Sequence, residues 1–179
     1  MSATILPFKG VSPRIAPSVF IAPTAAIIGR VEIGENAGIW YACVVRGDVH
    51  DIRIGAGTNV QDGTVIHGVE GHYGTFIGAN VTIGHAAVIH GCTIEDGVLI
   101  GMGATVMEGV VVESGGWVGA GALVTPGKRI GKGELWVGSP ARFLRPVKPD
   151  EAKHIAWTAG HYRMLAKAHI ETVKAADRK

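Results

Sequence analysis

IEDGVLIGMGATVMEGVVVESGGWVGAGALVTPGKRI, residues 94–130, places an aliphatic side chain at every sixth position: Ile94, Ile100, Val106, Val112, Val118, Val124 and Ile130. Ile and Val make up 39 of the 179 residues. Seven in a row at one phase would arise by chance about once in 40,000 trials per frame, so a repeat is the first thing to explain. A helix repeats near 3.6 residues and a flat strand near 2. A period of six fits a short strand followed by a tight corner, with one inward aliphatic residue per side and about eighteen residues per three-sided coil. Val and Ile suit the strands. Glycine, which follows the ruler residue at Ile33-Gly34, Ile54-Gly55, Ile77-Gly78, Ile83-Gly84, Ile100-Gly101, Val118-Gly119 and Ile130-Gly131, suits the corners.

The same ruler runs upstream through Ile15, Ile21, Ile27, Ile33, Ile39 and Val45. It slips three times. Val45 to Ile54 is three residues too long, Ile66 to Ile77 five too long, and Ile89 to Ile94 one too short. Slips in a solenoid map to loops bulging from the prism. The two insertions hold Arg46-Gly-Asp48-Val-His50 and Gly68-Val-Glu70-Gly-His72-Tyr73.

Numbering sides through the slips places the histidines. Val45, Ile66 and Ile89 lead side A, Ile54 and Ile77 side B, and Val60 and Ile83 side C. His67 and His90 each follow an inward residue, so both point outward in one column, with Arg46 one coil below. His85 and Asp62 share a different column, on side C. Zinc at catalytic sites takes three protein ligands and leaves one position open. Three prisms around a three-fold axis would bring side A of one against side C of the next. The columns therefore predict a homotrimer with a metal held by His67 and His90 of one chain and His85 of its neighbour.

Composition narrows the function classes. A net charge of +2 implies neither a nucleic acid nor a membrane partner. Charged residues are 18%, which points to outer faces buried by oligomerisation. Aromatics are 6%, as expected of a narrow prism without room for rings. The two cysteines, Cys43 and Cys92, read as reduced buried thiols of a cytoplasmic protein. No signal peptide and no bilayer-spanning run is evident. Residues 1–140 are expected to form the β-helix after a short N-terminal segment, and 141–179 a connector and a helix. That helix is read over 150–173, opened by Pro149, with Ile155, Tyr162, Leu165 and His169 facing the prism.

Taken together, Val45-Arg46-Gly47-Asp48, Asn59-Val-Gln61-Asp62, His67, and Gly84-His85 with His90-Gly91-Cys92 resemble the γ-class carbonic anhydrases and their bacterial homologues. The run from Gly38-Ile39-Trp40 to His67 is especially similar to the bacterial members. The resemblance spans nearly the whole chain. It implies a left-handed parallel β-helix, a homotrimer, and a metal (Zn2+, with Fe2+ or Co2+ as alternatives) at each subunit interface on His67, His85 and His90. It further implies an Arg46–Asp62 ion pair across the interface, supported by Asp48. It gives Gln61 the task of orienting water at the metal, with Asn59 nearby, and it has Tyr162 reach the site from the terminal helix. The implied reaction is hydration of carbon dioxide to bicarbonate, the metal lowering the pKa of its water from 15.7 to about 7. Val65, Ile89 and Met107 are read as the apolar surround. The acidic proton-shuttling loop of the archaeal members is replaced by a short insertion in which Glu70 and His72 are the substitutes. Two other readings compete: an acyltransferase or thioesterase of the hexapeptide-repeat class using a single histidine as base, and a metal-binding protein without turnover. Three imidazoles suit zinc, iron and cobalt alike.

Overall fold

The computed structural model of the chain describes residues 3–176. The outermost residues of the two expected segments, 1–2 and 177–179, lie outside it. The described residues form a parallel β-solenoid of about seven turns followed by a single helix.

The ruler residues stack as their phase predicts. Ile27, Val45, Ile66, Ile89, Val106 and Val124 are register partners in turn up side A. Ile15, Ile33, Ile54, Ile77, Ile94, Val112 and Ile130 climb side B. Ile21, Ile39, Val60, Ile83, Ile100 and Val118 climb side C. Apart from the half-buried Ile15 and Ile21, all are buried. Each coil contributes one methyl-rich side chain per side, and the coils above and below satisfy its backbone groups.

Two expectations need correction. The insertion at 46–50 is not a bulging loop. Val44–Ile54 is one continuous strand that turns the A-to-B corner beside Ala26–Ile33. Gly47 permits this, because a Cβ there would sit 2.5 Å from the carbonyl oxygen of Arg30. The second insertion does leave the prism, closed by an antiparallel bridge between Val69 and Tyr73. The segment read as a connector is also partly a strand. Ala141–Pro146 doubles back antiparallel on Glu134–Gly138 at the end of side C. Its prolines hid it, since Pro is compatible with an edge strand.

The helix spans Pro149–Ala176, past both expected ends. Its start combines Pro at the first helical position with a carboxylate that reaches back to the preceding backbone amide, one half of a capping box. The Lys148 backbone N–H donates to Glu151 Oε2 at 2.8 Å, and Arg145 donates to both Glu151 oxygens at 2.7 and 2.8 Å. Ile155, Ala159 and Ala166 are buried against side C, the alanines allowing close approach. The rings that the prism cannot hold gather under the helix. Trp40 meets Phe20 and Tyr162 edge-on, each at 5.2 Å, and His169 at 4.9 Å. His169 Nδ1 lies 2.9 Å from the Tyr41 hydroxyl. Cys43 and Cys92 are free and buried, and burial pushes their thiols up to about 11 and about 12.

Candidate metal centre

The strands Val65–His67 and Val88–His90 are parallel neighbours in which His67 pairs directly with His90 and Arg46 with His67. The two imidazoles project outward from side A with ring centroids 5.5 Å apart. Their strands are anchored by Ile66 and Ile89, both at 0% exposure. Inward isoleucines thus fix the outward histidines.

Each candidate ligand has a carboxylate behind it. His67 Nε2 is 2.9 Å from Asp48 Oδ1, and the other Asp48 oxygen accepts from Arg46. Burial works to raise the Asp48 pKa, but the hydrogen bonds from His67 and Arg46 outweigh it and hold the carboxyl below its usual range. His85 Nδ1 is 2.8 Å from Asp62 Oδ2, and His90 Nδ1 is 3.7 Å from Glu108 Oε2. A carboxylate behind an imidazole fixes its tautomer and ring plane and raises its basicity as a ligand. His85 is left with Nε2 as donor and His67 with Nδ1, while the His90–Glu108 contact is too long for a hydrogen bond and fixes neither nitrogen.

Among the described residues, no three His, Cys, Asp or Glu side chains of one chain converge closely enough to hold an ion. His67 and His90 supply two nitrogens on one face. His85 stands with Asp62 and Tyr41 at the corner between sides C and A, where the backbone of Ala86 bonds to Asp62 and that of Gly63 to Tyr41. The donor set fits a divalent cation of the zinc, iron or cobalt kind. It fits as a pair plus one, not as a triad within a chain.

The other expected residues fall into two groups. Gln61 is 5% and Asn59 2% exposed. The Gln61 amide donates to Asn59 Oδ1 at 3.1 Å, while Asn59 donates to the Thr82 hydroxyl at 2.9 Å. This chain of bonds leaves the side-chain Oε1 of Gln61 without a donor among the described residues. Tyr162 lies on the far side, beside Asp62. Burial first, and the Asp62 charge second, push its hydroxyl pKa up, so it stays protonated near neutrality. Within the chain Arg46 pairs with Asp48, and Asp62 with His85.

The expected apolar surround is corrected at one position. Ile89 is a ruler residue sealed inside the prism. The exposed apolar neighbours of the histidines are Val65 and its register partner Val88, at 40% and 39% exposure. Met107 is half-buried, and Glu70 and His72 are exposed on the inserted turn. Sequence reasoning missed His50, which shares a cavity of about 230 Å³ with His72 and Tyr73. Its place inside the first slip was the available signal. It also missed Glu108, one coil above His90.

Residues 74–107 match the family described as "Bacterial transferase hexapeptide (six repeats)". The chain is 51% identical to the "Probable carbonic anhydrase" of Methanocaldococcus jannaschii, covering 89% of this chain and 99% of that protein. It is 48% identical to the mitochondrial gamma carbonic anhydrase 2 of Arabidopsis thaliana over 88% of this chain, and spans 59% of that relative's length. Among solved structures it is similar to a hexapeptide transferase family protein from Anaplasma phagocytophilum, with a TM-score of 0.88, 45% identity, and coverage of 92% of this chain and 97% of that one. No helix among the described residues is long and apolar enough to cross a membrane. With this likeness to the Methanocaldococcus protein along almost its whole length, the chain belongs to the gamma carbonic anhydrase family of hexapeptide-repeat proteins.

Proposed function

We propose that the chain is a cytoplasmic, metal-dependent enzyme that hydrates carbon dioxide to bicarbonate. Its centre is shared between subunits of a homotrimer, with His67 and His90 from one chain and His85 from the next. The observation that carries this reading is the division of the histidines. Two are register partners on side A, and the third stands at another corner with its own carboxylate.

Membership of the family implies a metal cofactor; zinc is our assignment, with Fe2+ or Co2+ equally suited to three imidazoles. When bound, the cation supplies Lewis acidity that brings the deprotonation of water into the neutral range. The chain supplies the rest. Asp48 and Asp62 hold the rings of His67 and His85, and Glu108 lies near that of His90. Gln61, braced by Asn59 and Thr82, offers a fixed carbonyl acceptor to orient water. Val65, Val88 and Met107 present the apolar surface against which carbon dioxide is held. Tyr162 sits beside Asp62 and so serves the pair contributed by the neighbouring chain, as a protonated hydroxyl. On assembly, Asp62 takes Arg46 of the adjacent chain as a further partner, a bidentate geometry suited to guanidinium and carboxylate. Protons leave by the exposed turn, where His72 stands beside the His50 cavity.

A transferase reading has support in the family matched by residues 74–107 and in the Anaplasma neighbour. It needs one histidine as base and no metal.

Complementation tests the shared centre. His85→Ala and His67→Ala homotrimers should each fold yet lose metal by elemental analysis. Subunits unfolded together and refolded as mixed trimers regain one intact interface each, and with it metal and hydratase activity after anaerobic loading. Full metal occupancy in His85→Ala overturns the ligand assignment. Metal without hydration in the parent protein favours the binding-only reading. Acyl transfer by metal-free protein favours the transferase.

A further inference from the structure

The corner between sides B and C is built from one residue per coil. Ser18, Asn36, Gly57 and Asn80 follow one another up this edge: the Asn36 N–H donates to the Ser18 hydroxyl, Gly57 N–H to the Glu35 carbonyl, and Asn80 N–H to the Ala56 carbonyl. The helix lies along this edge. Arg163 Nη1 donates to Asn80 Oδ1 at 3.2 Å and overlies Gly57, where a Cβ would come within 3.1 Å of it. Lys167 follows one helical turn on.

Between the helix and the edge is a cavity of about 180 Å³ lined by Ser18, Asn36, Arg163, Ala166, Lys167 and Ile170. Its charge is one-sided. Both titratable lining residues are cations, and among the described residues neither forms an ion pair. Arg163 is bonded only to a neutral amide. Two carboxylates adjoin the lining in sequence: Glu35 accepts from the hydroxyl of Ser18, a lining residue, and Glu171 pairs with Lys174. Like charges four residues apart on a helix repel, and an anion held between Arg163 and Lys167 would relieve that repulsion. Elsewhere Arg14, Arg30, Arg53, Arg129 and Arg145 have carboxylate partners, while Arg142, like Arg163, has none among the described residues and donates to the Ala141 carbonyl.

We infer that this cavity is a binding site for a small oxoanion, clamped between helix and solenoid by Arg163 and Lys167. Asn36 is the neutral partner from the solenoid, the Ser18 hydroxyl being committed to Glu35, and Ala166 and Ile170 form an apolar flank. Its volume is several times the roughly 30 Å³ share of a water molecule. It lies below the ~300 Å³ at which drug-sized ligand pockets begin, so it admits bicarbonate or phosphate and excludes a nucleotide. The site is independent of the histidine centre, which occupies side A and the opposite corner. An occupying anion ties the helix to the coils that bear Asn36 and Ser18.

The test is a titration of the full-length protein followed by backbone amide resonances. Sodium phosphate and sodium bicarbonate are added separately at constant ionic strength, with chloride as the control. The site requires saturable shifts at Ser18, Asn36 and residues 163–167 with at least one oxoanion; which of the two saturates names the source. Lys167→Gln, at an exposed position, should weaken the apparent affinity about tenfold, the effect of losing one charge-assisted hydrogen bond. Lys167→Arg should retain it, and Lys153→Gln, elsewhere on the helix, should leave it unchanged. Shifts that rise linearly, that chloride reproduces, or that persist unchanged in Lys167→Gln overturn the inference.

Discussion

From Ile94 to Ile130 the coil repeats without an inserted residue; between Val45 and Ile89 it breaks twice. The two stretches share one continuous core. Ile89 and Ile100 are equally sealed at 0% exposure. They differ in what surrounds that core. All six buried polar side chains among the described residues, from Thr58 to Thr82, lie in the interrupted stretch. The regular stretch turns its corners on glycines, Gly97, Gly103, Gly109, Gly115, Gly121 and Gly127, all at φ between +65° and +70°. The interrupted stretch asks Asn80 and Ala86 to take the same conformation. A repeat in perfect step gives each outward column the same environment in every coil. Breaking step at 46–50 brings Asp48 to His67, and the hydrogen-bonded pair Gln61 and Asn59 lies in the coil between the two breaks. The residues of the proposed metal centre lie in the coils where periodicity is given up.

The largest effect should come from asking whether the core is indeed common to both stretches. Ile89→Ala and Ile100→Ala each remove a fully buried side chain, and each should cost about 2–5 kcal/mol. Denaturant midpoints should fall by similar amounts. A much smaller loss for Ile89→Ala would mean that the interrupted coils unfold separately. Asn59→Ala sharpens the difference between the stretches. It strips Gln61 and Thr82 of a buried partner, with an expected cost of about 1–3 kcal/mol. Turnover should fall while metal content stays constant; unchanged turnover would separate Gln61 from the reaction. The smallest effect concerns the helix, outside the repeat altogether. The hydrogen bonds from Arg145 and then the Lys148 amide hold the Glu151 carboxyl at about 2, below its ordinary 4.5. A carboxyl depressed on folding stabilises above its unfolded pKa and loses that contribution as pH falls through the folded value. Glu151→Gln should therefore melt below the parent at neutral pH, and the gap should close between pH 4.5 and about 2. A gap that persists at pH 2 would assign the role of Glu151 to neutral hydrogen bonding.

Much of this was legible before any coordinates. Counting through the slips gave each side its strands, stacked His67 on His90, and set His85 with Asp62. Period-six burial fixes the side and the phase of every strand that carries a ruler residue. What escaped obeys other rules. Ile89 was read as a contact for substrate although its phase places it inside. Ala141–Pro146 runs antiparallel and so carries no six-residue signal. The bonds of Asp48 to His67 and of Asn59 to Thr82 join residues 19 and 23 apart. Those separations are fixed by coil length plus insertion, which no local pattern reveals. The aromatic group under the helix pairs Tyr41 with His169, 128 residues on.

The reversed strand Ala141–Pro146 has a consequence for the molecule's length. A stack of like storeys has no intrinsic last one, and its rim offers unpaired amides to any chain with the same ladder. On side C the roof runs against the grain of the floors beneath and ends in a residue with no amide hydrogen to give. Another molecule's first storey would meet a reversed strand there instead of a continuation of the ladder, which works against end-to-end growth on that face.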